Sequence, residues 1–316
     1  MAVILTTPRS FSSCKKAQDL LEQAGHELRV QKPEKPYTAK ELCSLMQGVD
    51  ALIAGLDEIS SAVIETGAPS LKVIARNGAG YNNIDLEATK KHGVTVTVTP
   101  GANSISVCEL AFAFIIALAR KVHLMDDNIR DGKWTRVPGS ELFGKTIGVM
   151  GTGAIGSHLI QRCAAFGMNI LAYDLYPKEE LIEKYGVRYV DVDQIYQEAD
   201  YISLHLPSSG ETRGMINAEA ISRMKKSACI INTARGDLID ENALFDALQS
   251  GQLGGAGLDA FSSEPFTDQR FWKLPNVVMT PHSGGFTAES VERTLMMAAE
   301  EVLRVLSNQK PLYSIQ

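Results

Sequence analysis

"TIGVMGTGAIGSHLIQRCAAFGMNILAYD", residues 146–174, is the stretch on which the reading of this chain turns. It opens with an apolar run, passes through three glycines spaced G-x-G-x-x-G, and enters a helical pattern carrying Ile155, Leu159, Ile160, Cys163 and Phe166 on one apolar face. A second apolar run, NILAY, ends at Asp174, 18 residues beyond Gly156. Strand, glycine turn, helix, strand and acid in this order make a dinucleotide-binding βαβ unit. Gly151 permits the tight turn, Gly153 removes a side chain where a pyrophosphate meets the backbone, and Gly156 lets the helix lie close to the strand. The helix N-terminus offers N–H groups and the positive end of its dipole to the phosphates. A carboxylate at Asp174 accepts hydrogen bonds from adenosine ribose hydroxyls and repels a 2′-phosphate, so the motif points to NAD over NADP. Ala154 and Ile155 lie within the same turn.

Outward from this stretch, short apolar runs alternate with helical patterns. The runs are 3–7, 51–55, 73–76, 95–99, 146–150, 169–173, 201–206, 229–233, 255–261 and 277–280. This is the rhythm of α/β architecture with parallel sheets covered by helices. A length of 316 residues suits two domains. The first spans 1–100 and is completed by a C-terminal helix within 287–316; the second spans 101–286 and holds the glycine turn. A long apolar helix is expected over 105–121, with Ser106 and Glu109 as a capping box. Being apolar nearly all round, it is expected to be buried between domains or subunits.

Composition narrows the function. The net charge is −6, with no long Lys/Arg run, which argues against a nucleic-acid partner. The five cysteines form no C-x-x-C pair; they read as free thiols in a reducing compartment, with neither a disulfide frame nor a metal site. The most apolar run, LAFAFIIALA at 110–119, is shorter than the roughly 20 residues a membrane span needs. No secretory signal is expected in MAVILTTPRS, so a cytoplasmic protein without a membrane partner is expected.

Three polar groups follow successive strand-like runs of the second unit. CIINTARG places Arg235, GLDAFSSEP places Asp259 and Glu264, and VVMTPHSGG places His282. Ligands of open α/β sheets bind at the carboxyl ends of strands. A carbonyl that receives hydride needs a proton on its oxygen, which a histidine supplies near neutral pH. A carboxylate beside it fixes the ring and favours the imidazolium. An arginine fork grips a carboxylate and polarises the neighbouring carbonyl. Taken singly each residue has a bland structural reading; together, downstream of a dinucleotide motif, they read as a hydride-transfer site.

At these residues the chain resembles the D-isomer-specific 2-hydroxyacid dehydrogenases. The likeness runs over nearly the whole chain through RNGAGYNNID, GKTIGVMGTGAIG, SLHLPSSGETRGMI, INTARGDLIDENAL, GAGLDAFSSEP and TPHSGG. Within that family it looks closest to 3-phosphoglycerate dehydrogenases and hydroxypyruvate or glyoxylate reductases. The resemblance implies two doubly wound parallel-sheet domains, a Rossmann NAD-binding domain and a flavodoxin-like substrate domain, with the active site in the cleft. It implies that Arg235 binds substrate, that His282 is the acid/base and that Glu264 is its partner. Leu206, Pro207, Thr212, Thr233, Ala234 and Gly284 would line the cofactor, with Asp259 near the nicotinamide carboxamide. Asn77, Gly78, Ala79 and Gly80 would hold the substrate carboxylate. Arg76 and Arg136, with Lys133 near, stand where phosphoglycerate enzymes carry basic residues, whereas the loop AGLDEIS at 54–60 is acidic. Both a phosphorylated and an unphosphorylated 2-hydroxy or 2-keto acid therefore stay open. The family also implies a homodimer through the 105–121 region. The long regulatory extension of some phosphoglycerate enzymes is not expected. A non-enzymatic NAD-sensing protein, like the corepressors built on this fold, is the competing reading.

Overall fold

The apolar runs of the N-terminal part pair into a five-stranded parallel sheet of β1 (Val3–Thr6), β2 (Glu27–Val30), β3 (Ala51–Ala54), β4 (Val73–Arg76) and β5 (Thr95–Thr97). Their order is β2-β1-β3-β4-β5, that of flavodoxin-like sheets. Successive side chains of a strand point to opposite faces, so a strand covered on both sides is apolar throughout. On one face Ile4, Ile53 and Val73 pack with Phe11, Leu21, Leu295 and Val302. On the other, Leu5, Leu52, Ile74 and Val96 pack with Leu42, Met46, Val63 and Ile64. Each such fully buried aliphatic side chain contributes about 1.5–3 kcal/mol.

The computed structural model describes residues 1–315 and divides into two compact units, Met1–Asn103 with Phe286–Gln316, and Ser104–Gly285. The returning segment is the helix Ala288–Leu306, capped by Thr287. Its stripe of Leu295, Ala298, Ala299 and Val302 is the i, i+3, i+4, i+7 pattern of a one-sided helix, and it packs on β3, β4 and the helix Lys15–Gln23. Glu301, 2% exposed, accepts the N–H of Leu312 and Tyr313 and holds the following segment against the end of β5.

The second unit carries a seven-stranded parallel sheet: β6 (Thr146–Met150), β7 (Asn169–Tyr173), β8 (Arg188–Tyr189), β9 (Tyr201–Leu204), β10 (Cys229–Asn232), β11 (Gly255–Leu258) and β12 (Val277–Met279). The order is β12-β11-β10-β9-β6-β7-β8. It reverses at β6, whose carboxyl end is therefore the switch point where doubly wound sheets take ligands.

Several sequence expectations are corrected here. The strands β2 and β8 were not expected. Both are sheet edges, only partly buried, and lack the apolar run that marks a central strand. The long helix spans Ser104–Arg120, so Ser106 is its third residue and no cap. Glu109 instead pairs with Arg162 at 2.9 Å. The helix spends much of its apolar surface inside its own unit, where Phe114, Ile115 and Leu118 share a core with Leu159, Ile160 and Ile231. Phe166 does not join the buried face of the glycine-turn helix. It is the C-cap, 48% exposed, and meets the ring of Phe112 edge-on at 4.8 Å.

Candidate functional site

The glycine turn joins β6 to the helix Ala154–Ala165. Gly151 has φ +98°, and a Cβ there would lie 2.7 Å from the carbonyl oxygen of His205. A Cβ on Gly156 would lie 2.0 Å from the carbonyl oxygen of Gly151, so only glycine lets the helix start this close to its strand. Gly153 is different: a Cβ there would meet no protein atom within 4 Å. The protein's own packing does not demand glycine at this point, whereas a pyrophosphate resting on the backbone would. No side chain caps this helix, so the first-turn N–H groups of Ala154, Ile155 and Gly156 face forward without an intrahelical acceptor. These features fit a dinucleotide phosphate.

Asp174 follows β7 directly. Its carboxylate accepts the N–H and the hydroxyl of Thr152 at 2.6 and 3.0 Å, and the N–H of Tyr176 at 2.9 Å. Burial pushes this carboxyl up, but the hydrogen bonds from Tyr176 and Thr152, with the Lys178 ammonium, outweigh it and hold it below the ordinary value. Beside it lies a cavity of about 360 Å³ whose walls include Tyr173, Leu175, Leu206, Pro207, Thr212 and Met215. Three of the residues expected to line a cofactor thus share one cavity, of a size and apolar lining suited to an adenine ring. The Thr212 hydroxyl donates to the carbonyl of Pro207 at 2.7 Å and shapes this wall.

The other expected residues follow β10, β11 and β12, which are neighbours in the sheet. After β10, Thr233 is buried with its hydroxyl oxygen unpaired, and Ala234 donates its N–H to the Asn232 side chain. Arg235 is anchored at both ends. Its carbonyl accepts from Asn232 Nδ2 at 2.8 Å, and its Nη1 donates to the Ala234 carbonyl at 2.6 Å.

After β11, Asp259 is 2% exposed. It accepts the Thr280 hydroxyl at 2.5 Å and the N–H groups of Ser283 and Gly284 at 2.7 and 2.8 Å. Asp259 therefore fastens the loop after β12 to the end of β11. Between those anchors stands His282, with φ +48°, a left-handed conformation uncommon outside glycine. The Asp259 bonds and the Thr280 carbonyl, which takes the His282 N–H at 3.0 Å, over-determine this strained backbone. They set the ring so that Nδ1 lies 2.9 and 2.8 Å from the two oxygens of Glu264. Glu264 is fixed in turn by the N–H of Phe261 at 3.1 Å.

Two supporting residues escaped the sequence reading. Glu241, first residue of the helix Glu241–Ser250, takes the N–H and hydroxyl of Ser262 at 2.8 and 2.7 Å and so braces the Glu264 loop. Asp237 accepts the Ser208 hydroxyl at 2.6 Å and Arg213 Nε at 3.2 Å, tying the loop after Arg235 to the one that carries Pro207 and Thr212. Both lie within INTARGDLIDENAL, but their partners Ser262, Ser208 and Arg213 are 21 to 29 residues away, so the motif does not disclose what they brace.

In the first unit, the turn after β4 holds Asn77, Gly78, Ala79 and Gly80. Asn77 donates its N–H to the Ala54 carbonyl, and Gly78, at φ +144°, to that of Arg76. Among the described residues no protein acceptor takes the N–H of Ala79 or Gly80. Arg76 is 8% exposed, and its guanidinium bonds the Asn77 carbonyl of its own turn. Of the two acids in the neighbouring loop, Glu58 is exposed and the other is turned inward. Asp57 is 2% exposed and bonds the Thr7 hydroxyl and the N–H groups of Gly55 and Tyr37, leaving Leu56 exposed. Arg136 lies in an exposed loop of the second unit.

Comparison with known proteins gives the same picture. Residues 112–284 match the model of the "D-isomer specific 2-hydroxyacid dehydrogenase, NAD binding domain". A hydroxypyruvate reductase of Thermotoga maritima is 40% identical over 300 residues, covering 91% of this chain and 96% of that protein. A D-3-phosphoglycerate dehydrogenase of Methanocaldococcus jannaschii is 42% identical over 273 residues, covering 85% of this chain but 52% of its own length. Among solved structures, the apo form of D-lactate dehydrogenase from Escherichia coli superposes with a TM-score of 0.89 at 31% identity, covering 100% of both chains.

Proposed function

Because this chain belongs to the D-isomer-specific 2-hydroxyacid dehydrogenases, a family of NAD-dependent oxidoreductases, we propose that its substrate is a small, unphosphorylated 2-keto acid of the hydroxypyruvate or glyoxylate kind, reduced to the D-2-hydroxy acid. The observation that carries this choice is Arg76. The cation beside the proposed carboxylate-binding turn is buried, and one of its nitrogens donates to the Asn77 carbonyl of its own turn, so it is not held out to solvent as a phosphate ligand would be. The exposed residues of the adjoining loop are Leu56 and Glu58, neither of them a cation.

In this reading the N–H groups of Ala79 and Gly80 hold the substrate carboxylate, and Arg235 grips the carboxylate and carbonyl together. Gly151, Gly153, Ala154, Ile155 and Gly156 hold the pyrophosphate. Asp174 takes the adenosine ribose, and Leu206, Pro207 and Thr212 flank the adenine. Thr233, Ala234 and Gly284 line the nicotinamide end. When bound, NADH supplies the hydride that reaches the substrate C2. Nδ1 of His282 faces Glu264, which leaves Nε2 as the position that delivers a proton to the carbonyl oxygen. Glu264 holds the imidazolium form in place, and His282 is left neutral once the hydroxyl has formed.

A homodimer in the cytoplasm belongs to the same proposal. Ile105, Ile129, Trp134, Phe143 and Phe166 are exposed apolar side chains on or near the long helix and the segment after it. The five free cysteines support a reducing compartment. Sedimentation at micromolar protein gives the mass of two chains if this is right and of one if it is wrong.

The deciding experiment is NADH oxidation with hydroxypyruvate, glyoxylate, pyruvate, a branched 2-keto acid and phosphohydroxypyruvate. The highest kcat/KM with an unphosphorylated acid is expected. A clear preference for phosphohydroxypyruvate overturns the choice and gives Arg76 and Arg136 a phosphate role. NADH binding with no turnover of any of the five acids favours the NAD-sensing alternative.

A further inference from the structure

Within the second unit, the wall of the adenine cavity and the substrate arginine meet on one short piece of backbone. Arg235 opens the single turn Gly236–Leu238, whose Ile239 N–H bonds back to the Gly236 carbonyl at 3.1 Å. Asp237 is the middle residue of that turn. Its carboxylate accepts the Ser208 hydroxyl at 2.6 Å and Arg213 Nε at 3.2 Å, and its carbonyl accepts the Gly214 N–H at 2.8 Å. A short parallel ladder continues the seam, with the Ile216 N–H on the Leu238 carbonyl at 3.1 Å and the Asp240 N–H on the Ile216 carbonyl at 2.9 Å. The loop so attached presents Leu206, Pro207, Thr212 and Met215 to the cavity. It has no regular secondary structure and is bonded largely to itself: the Thr212 hydroxyl oxygen takes the Ser209 N–H at 2.9 Å, and the Ser209 carbonyl takes the Arg213 N–H at 3.0 Å. Tyr196 OH holds its far end through the Met215 carbonyl at 3.1 Å.

A loop cross-bonded in this way shifts as one body, and it has the cavity on one face and Asp237 on another. We propose that Asp237 is a positioning residue through which occupation of the adenosine cavity sets Arg235, so that the adenosine half of the cofactor and the 2-keto acid bind with positive coupling even without a nicotinamide between them. The weight of the joint falls on Ser208. Its bond to Asp237 is short and charge-assisted, whereas the Arg213 pair is exposed and contributes little. A base in the cavity restrains the loop, the Ser208 and Gly214 bonds restrain the turn, and less ordering of Arg235 is left for the incoming acid to bring about. Coupling of this kind is reciprocal, so the acid tightens the adenosine half by the same factor. The inference rests on the dinucleotide reading of this unit and on Arg235 as the anchor of the acid, and is independent of which 2-keto acid the enzyme reduces.

The test is equilibrium binding to the whole protein with two unreactive probes. ADP carries the adenosine half of the cofactor and no nicotinamide, and oxamate stands in for any small 2-keto acid. The dissociation constant of ADP is measured by calorimetry with and without saturating oxamate, for the parent, Asp237→Ala, Ser208→Ala and Asp237→Asn, each checked for folding by circular dichroism. In the parent, oxamate is expected to tighten ADP by about fivefold or more, the lower end of typical coupling between sites. In Asp237→Ala and in Ser208→Ala that ratio is expected to fall to about one, and Asp237→Asn, which keeps an oxygen acceptor for Ser208, is expected to retain part of it. Because the ratio is taken within one protein, a general loosening of the cavity wall cancels from it. The proposal is overturned if oxamate leaves ADP binding to the parent unchanged, or if Asp237→Ala keeps the parental ratio; Ser208→Ala decides in the same way should Asp237→Ala not fold. A parent that binds no ADP and oxidises no NADH overturns the dinucleotide reading itself, whereas a parent that turns over NADH without coupling overturns this proposal alone.

Discussion

Gly236 and Phe261 are in backbone contact: a Cβ on Gly236 would lie 1.8 Å from the carbonyl carbon of Phe261 and 2.1 Å from the nitrogen of Ser262. The loop that carries Arg235 thereby rests directly on the loop that carries Glu264. No side chain fits between them. Gly236→Ala is expected to push the loops apart, with a loss in kcat/KM of about 100-fold or more, since misplacement of a positioned group by about 1 Å costs that much. NADH binding, whose adenosine half rests on the glycine turn and Asp174, should change far less. A variant with parental kcat/KM would show that the contact does not set the site.

His282 and Glu264 give a graded pair. His282→Ala is expected to lower kcat by about 10²–10⁴-fold, the usual contribution of a general acid, with the NADH dissociation constant within a few-fold of the parent. Glu264→Gln keeps a hydrogen-bond partner for Nδ1 but removes the charge, so a smaller loss in kcat and an altered pH–rate profile are expected. Stopped-flow NADH oxidation and fluorescence titration separate the two readouts. An unchanged kcat in His282→Ala would remove it from the proton transfer.

His205, just past β9, introduces a pH dependence of stability. Its Nε2 lies 2.9 Å from the Ser203 hydroxyl, its Nδ1 is shielded from solvent, and burial lowers its pKa from 6.5 to about 4. Below pH 6.5 the unfolded chain takes up a proton that the native chain refuses. Stability therefore falls as the pH drops from about 6.5 to about 4 and then levels off for this group. The full effect is at most about 3 kcal/mol, of which about 2 kcal/mol is lost by pH 5. Urea unfolding of the parent and His205→Asn at pH 7 and pH 5 isolates it. An equal loss in both proteins would mean that His205 does not contribute.

The thiols differ in accessibility and acidity. Burial pushes Cys108 and Cys229 up to about 11 and raises Cys163 further, whereas Cys43 is only half-buried. Since the thiolate is the reacting form, iodoacetamide at pH 8 is expected to label Cys43 well before the other three. Peptide mapping that found Cys163 labelled first in the native protein would contradict the packing described above.

Asp57 is a structural anchor. Its carboxylate bonds the Thr7 hydroxyl and the N–H groups of Gly55 and Tyr37. Asp57→Ala strands the buried Thr7 hydroxyl and two partly buried N–H groups and is expected to cost about 3 kcal/mol, seen as a lower denaturation midpoint at unchanged slope. A loss under about 0.5 kcal/mol would show that water replaces the carboxylate at no cost.

The parts of the molecule that the sequence disclosed are those written by local pattern. The β6 run, Gly151, Gly156 and Asp174 stand in one 29-residue stretch, 146–174, and their spacing alone states their geometry. Central strands such as β3 and β10 declare themselves because burial on both faces leaves only apolar residues. The edges β2 and β8 carry polar side chains to solvent and left no such trace. Ser106 and Glu109 matched a cap by spacing, but the helix starts at Ser104 and tertiary packing gave Glu109 to Arg162. Glu241 and Asp237 act across 21 to 29 residues of chain, a range over which no period or spacing speaks. The inward turn of Asp57 is likewise invisible in a loop that reads simply as acidic.

The return of Ala288–Leu306 to the sheet of the first unit has a consequence for biosynthesis. That sheet is made first, but one of its faces stays only partly covered, by Phe11 and Leu21, until the helix Ala288–Leu306 has left the ribosome, because Leu295, Ala298 and Val302 complete the core around Ile4, Ile53 and Val73. The inserted unit, contiguous from Ser104 to Gly285, has all its strands and helices available earlier and can reach its native form while the flanking one waits. The order of synthesis is thus the reverse of the order of completion. The nascent N-terminal sheet is the stage at which chaperone contact, or a pause in translation after Gly285, matters most for the yield of native protein.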